Sequence, residues 1–147
     1  MTEAEWFLVR DKFMESRNGL DGYTLGEIRY GPLDAPRICY TLEDQDGRME
    51  DGNGKRYRRT AIGTGRYRLT LPREGRVITI NKVPGFIHAE IRTGANLDEG
   101  DVAVGDSRTL VGVGNCPSAL ARLTGELRRL TMQGVAVYLN VTRAENV

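Results

Sequence analysis

A β-rich α+β fold is what the 147-residue sequence predicts: one domain, a mixed or antiparallel sheet, and a single main helix at about 117–133. Three observations lead there. The 18 glycines divide the chain into short segments of alternating polarity, the pattern of a strand-rich domain. Arg66 to Leu71 and Val135 to Thr142 alternate cleanly, with Tyr67, Leu69 and Leu71 on one face of the first and Val135, Val137, Leu139 and Val141 on one face of the second. Only PSALARLTGELRRLTMQG spaces its leucines as a helix does. The length suits a domain that buries its own core without disulfide or metal support.

In chain order, Trp6 to Phe13, Tyr23 to Tyr30 and Arg37 to Leu42 are rich in aromatic and β-branched residues. NG, DG, GP and AP pairs separate them, so they read as a meander of strands. Glu43 to Arg59, EDQDGRMEDGNGKRYRR, is the longest polar stretch and predicts an exposed, mobile loop. After the strand at 66–71, Pro72-Arg73-Glu74-Gly75 turns the chain into Arg76 to Asn81, a hairpin with a four-residue loop. In the helix, Leu120, Leu123, Leu127 and Leu130 form one face and Arg122, Glu126, Arg128 and Arg129 the other. Pro117 suits its first position, Asn115 or Cys116 its cap, and Gly134 its end. Gly125 inside it costs about 1 kcal/mol relative to alanine, which suggests a close backbone approach there.

Composition excludes several classes of function. Lys plus Arg total 21 and Asp plus Glu 20, a net charge of +1 that does not describe a general nucleic-acid binder. The two cysteines, Cys39 and Cys116, form neither a disulfide framework nor a zinc pattern and read as free thiols. MTEAEWFLVRDKF has neither the basic start of a signal peptide nor the apolar run of a membrane anchor. Synthesis and folding in the cytoplasm, with no membrane, is the expectation.

Candidate motifs divide similarly. Asp44, Asp46, Glu50, Asp51 and Asn53 offer oxygens to calcium, but Arg48 stands where a loop ligand is needed and no glutamate closes the loop twelve residues after Asp44. Lys55, Arg56, Tyr57, Arg58 and Arg59 could grip a polyanion; the acids before them neutralise the block, which favours a protein-contact loop over nucleic acid. AIGTGRY lacks the GK[ST] of a phosphate loop, and Ser107 lacks the GxSxG elbow of a hydrolase. His88, among apolar residues, has no second ligand of metal type nearby and reads as structural, so neither metal nor cofactor is expected.

Seven motifs in order, YTLGEI, ICYTLED, RTAIGTGRY, VPGF, IRTGAN, LDEGDVAVG and NCPSALARL, resemble a small-domain family of unknown function widespread in phages and prophages. The resemblance covers about four-fifths of the chain. That family's histidine and cysteine look like those of the L,D-transpeptidase catalytic domain, in which a thiolate, made available by a histidine, attacks a peptidoglycan stem peptide. The resemblance therefore implies an L,D-transpeptidase-like sheet.

Here the histidine position falls on Arg92 and the cysteine position on Asp101. A guanidinium with a pKa above about 12 is no general base, and a carboxylate is a far poorer nucleophile than a thiolate. A bidentate ion pair between Arg92 and Asp101, pinning the former cleft as a rigid loop, is the structural alternative. The resemblance then implies a catalytically inactive structural or binding component of a phage virion (tail, baseplate or capsid-associated), partnered by other virion or assembly proteins. Arg92, Gly94, Asn96, Asp98 and Asp101 would form its recognition segment, and the loop Lys55 to Arg59 its contact surface. Two alternatives stand beside it. One is a peptidoglycan transpeptidase or hydrolase with a relocated nucleophile, Cys116 at the helix N-terminus served by His88. The other is a non-catalytic module that binds peptidoglycan or another glycan.

Overall fold

The computed structural model describes residues 2–14, 22–51, 61–72, 76–94, 97–109 and 112–146. Its strands are β1 (Glu3–Met14), β2 (Tyr23–Tyr30), β3 (Arg37–Asp44), β4 (Gly65–Thr70), β5 (Ile78–Ile80), β6 (Ala89–Ile91), β7 (Ala103–Gly105), β8 (Ser107–Thr109) and β9 (Gly112–Gly114). The helix α1 (Cys116–Met132) follows, and β10 (Ala136–Arg143) comes last. The fold is therefore the β-rich α+β class, and its sheet is mixed: the order is β6-β5-β4-β10-β1-β2-β3-β7, in which β1 and β10 run parallel and the other neighbouring strands pair antiparallel.

Period-two alternation organises this sheet. Trp6, Leu8 and Arg10 of β1 stand opposite Leu139, Val141 and Arg143 of β10, all turned to the covered face. Tyr67 and Leu69 of β4 continue that face on one side, Ile28 and Cys39 on the other. Helix α1 closes over it against β7 and β10 with Ala119, Leu120, Leu123 and Leu127. Burying one such leucine stabilises the fold by about 1.5–3 kcal/mol.

The strand order hides a closure. β6 and β7 stand at opposite ends of it, yet Ile91 forms a parallel bridge with Val102, immediately before β7. The sheet thus curls until its two ends meet, with Ile91 and Val102 both fully buried at the seam. Closing the ends removes unpaired edge that would otherwise invite pairing with another chain.

Several local expectations change. Gly125 has open space where its Cβ would be, so no close approach explains it. Asn115 caps α1 in the left-handed conformation (φ 57°, ψ 46°) without a side-chain cap, and Cys116 rather than Pro117 is the first helical residue. The stretch from Glu43 is not exposed at its start: Glu43 and Asp44 finish β3 with 1% and 7% exposure, because the inward alternation Cys39, Thr41, Glu43 carries the glutamate into the interior. Residues 52–59 of that stretch lie outside the described residues, as do Arg73, Glu74 and Gly75 of the turn joining β4 to β5. The hairpin pairing itself is present, with Leu69 opposite Ile80 and Thr70 opposite Thr79. Among the described residues, no helix is long and apolar enough to cross a membrane.

Candidate functional site

Within Ile91 to Gly105, alternation again fixes what faces where: Ile91 turns inward, so Glu90 and Arg92 both turn outward, two residues apart on one side. Arg92 Nη1 lies 3.3 Å from Glu90 Oε1, and its Nε donates to the carbonyl of Thr93 at 3.3 Å. Asp101 is 4% exposed, and its Oδ1 accepts the backbone N–H of Glu90 at 3.0 Å. The expected pairing of Arg92 with Asp101 is therefore replaced. The two positions are on neighbouring segments, as expected, but the carboxylate is turned in to a backbone donor and the guanidinium is turned out beside Glu90.

Backbone bonds complete this seam. Val102 N–H donates to the Glu90 carbonyl at 2.8 Å, and Arg92 N–H donates to the Val102 carbonyl at 3.2 Å. Gly100, at φ 85°, is needed in its turn: a Cβ there would lie 2.5 Å from the ring of Phe86, so the VPGF and LDEG motifs meet face to face. Gly94 (φ 61°) stands in an open turn. Asn96 and the side chain of Asp98 lie outside the described residues, as do Lys55, Arg56, Tyr57, Arg58 and Arg59.

No hydrogen bond joins a thiol to the imidazole among the described residues. His88 is exposed rather than set among apolar neighbours, next to Ile87, which is 90% exposed. Cys116 is half-buried at the start of α1, with Sγ 3.9 Å from the Val113 carbonyl, and no hydrogen bond joins it to His88. Cys39 is buried, and that burial pushes its thiol up to about 12, far from a thiolate at neutral pH. Beside α1, Arg122 pairs with Asp106 and donates to the Ile38 carbonyl at 2.9 Å. Asn115 Nδ2 reaches the same carboxylate at 3.0 Å. Arg122, then Ser118, hold the Asp106 carboxyl below its usual range. These contacts tie the helix start to β3.

A second constellation lies where β1, β3 and β10 end. Arg10 Nε and Nη2 grip both oxygens of Glu43 at 2.9 and 2.8 Å, with both side chains 2% exposed, and Nη2 also donates to the Ile62 carbonyl at 2.7 Å. Arg143 grips Asp46 the same way at 2.7 and 2.8 Å and meets Glu50 at 2.8 Å. Burial opposes the ionised form of Glu50, yet Arg143 and the Thr64 N–H outweigh it and hold the carboxyl at about 2. Asp46 is likewise held low by Arg143 and Arg10 against its burial.

Comparison with family models, curated proteins and solved structures finds no match.

No sequence motif marks the ionic constellation: Asp46 and Glu50 stand out in sequence only as oxygens offered to calcium, and Arg10 and Arg143 lie far from them along the chain. A signal was present nonetheless. In WFLVR, in VYLNVTR and in CYTLE the inward alternation runs from apolar residues onto Arg10, Arg143 and Glu43, all buried at one end of the sheet.

Proposed function

We propose that this chain is a catalytically inactive structural or binding component of a phage virion, in which the segment corresponding to a transpeptidase cleft serves as a structural seam. The observation that carries the non-catalytic part is the position of Asp101: its carboxylate is buried and committed to the Glu90 N–H, beside the bridge that joins the two ends of the sheet. A group held there braces backbone and does not face a substrate. Arg92, partly exposed and paired with Glu90, offers no proton acceptor to a nucleophile. Cys39 is held as a neutral thiol, and Cys116 has no histidine hydrogen-bonded to it. The virion setting rests on the resemblance in the seven motifs, and the neighbours it implies are other virion or assembly proteins.

Two measurements test the two parts. Purified protein incubated with disaccharide–tetrapeptide muropeptides should leave them unchanged, with Cys116 labelled by iodoacetamide or not. Turnover that the Cys116→Ser variant abolishes would establish the relocated-nucleophile enzyme instead. Mass spectrometry of purified particles should find the chain at a fixed stoichiometry, and its consistent absence from particles would remove the virion setting while leaving the first result intact.

A further inference from the structure

At the end of the sheet where β1 and β10 finish, a cavity of about 400 Å³ opens beside the buried arginines. Its walls come from β1, β2, β10, Asp46, Arg48 and the residues Ala144 and Glu145 that follow β10, and none belongs to Ile91 to Gly105. From these walls we infer a binding site for a neutral, hydroxyl-rich ligand of about one sugar ring, a site independent of the former cleft and of the virion setting.

Charge comes first. The arginines and acids lining the cavity are already matched: Arg10 with Glu43 and Asp46, Arg143 with Asp46 and Glu50, Arg48 with Glu145 at 2.9 Å, and Asp11 with Arg108 at 2.9 Å. A charged ligand would have to displace one of these partners or sit beside a group of its own sign. A neutral one need not. The outer edges of the matched groups still offer donors and acceptors, and planar guanidinium and carboxylate edges suit adjacent hydroxyls, which donate and accept at once.

The second observation is Phe13, an apolar side chain left 48% exposed on the cavity wall among these polar groups. Concave sites that combine an aromatic face with a few convergent polar groups recognise ligands with one apolar and one polar aspect. A sugar ring has both, C–H on its faces and hydroxyls at its rim. The third is Arg10, whose Nη1 is buried and makes no hydrogen bond, although Nε and Nη2 are fully engaged. Asp46 Oδ1 stands 3.6 Å away and already accepts from Arg143 Nη2 and the Arg48 N–H, so the donor left over at this wall is Nη1, which a ligand hydroxyl oxygen would accept from.

The test uses the ¹⁵N-labelled chain, titrated with glucose and N-acetylglucosamine as neutral probes and with phosphate and putrescine as charged ones. A neutral sugar should shift the amides of Phe13, Thr24 and Ala144 saturably, while phosphate and putrescine do not. Phe13→Leu, which keeps apolar bulk but removes the ring, should weaken that binding about tenfold, and Phe13→Tyr should retain it. The inference is overturned by an absence of saturable shifts with both sugars, by preference for a charged probe, by shifts confined to Ile91 to Gly105, or by sugar binding that Phe13→Leu leaves unchanged.

Discussion

Asp101 and Arg92 stand on the two segments that meet at the seam, and their substitutions should behave differently. Asp101→Ala leaves the Glu90 N–H without its acceptor inside the fold and should cost about 1–3 kcal/mol of stability. Arg92→Ala removes a partly exposed contact with Glu90 and should cost no more than about 1 kcal/mol. Urea denaturation of both variants checks the contrast; equal and small losses would mean that Asp101 is not a brace. The identity of these two residues was legible in the sequence. Their partners were not, because a side chain in a strand turns to one face or the other according to its neighbours' burial, and the spacing of Arg92 and Asp101 carries no record of Glu90 as the competitor for each.

The elements were legible where periodicity is strong. β2 falls where its aromatic and β-branched content placed it, and α1 runs one residue ahead of its expected bounds at each end. The three-residue strands β6, β7, β8 and β9 have too few residues to display a period, and only the bridges they form define them. Gly125 provides a prediction at this scale. Since its Cβ would meet nothing, Gly125→Ala should stabilise α1 by about 0.5–1 kcal/mol and raise the melting temperature by a few degrees in a thermal scan. A lower melting temperature would show that the glycine is needed after all.

At the scale of the molecule, ion pairs join distant parts of the chain: the buried Arg10 with Glu43 and the carbonyl of Ile62, and Arg143 with the less buried Asp46 and Glu50. Arg10→Met alone strands the Glu43 carboxylate inside and should cost about 3–5 kcal/mol, whereas Arg10→Met with Glu43→Leu should recover most of that loss, which a double-mutant cycle in urea measures. Acid should act through the same groups. The Glu50 carboxyl, held at about 2 in the fold against an ordinary value of 4.5, takes up a proton more readily when unfolded. Its contribution is therefore fully present above about pH 4.5 and is lost as pH falls towards 2, with Asp46 shifted in the same direction. Urea midpoints should fall across that window, and Glu50→Gln should flatten the fall; an unchanged slope would show that Glu50 is not responsible.

By itself, the sequence determined the β-rich class, the long strands and the helix, because these follow from local alternation and leucine spacing. Only the tertiary structure decided that β1 and β10 lie parallel, that the ends of the sheet meet at Ile91 and Val102, and that Arg10, Glu43 and Arg143 gather at one end. Alternation states that a residue points inward, whereas its partner there depends on which strands become neighbours, a choice made by the burial of the whole sheet at once.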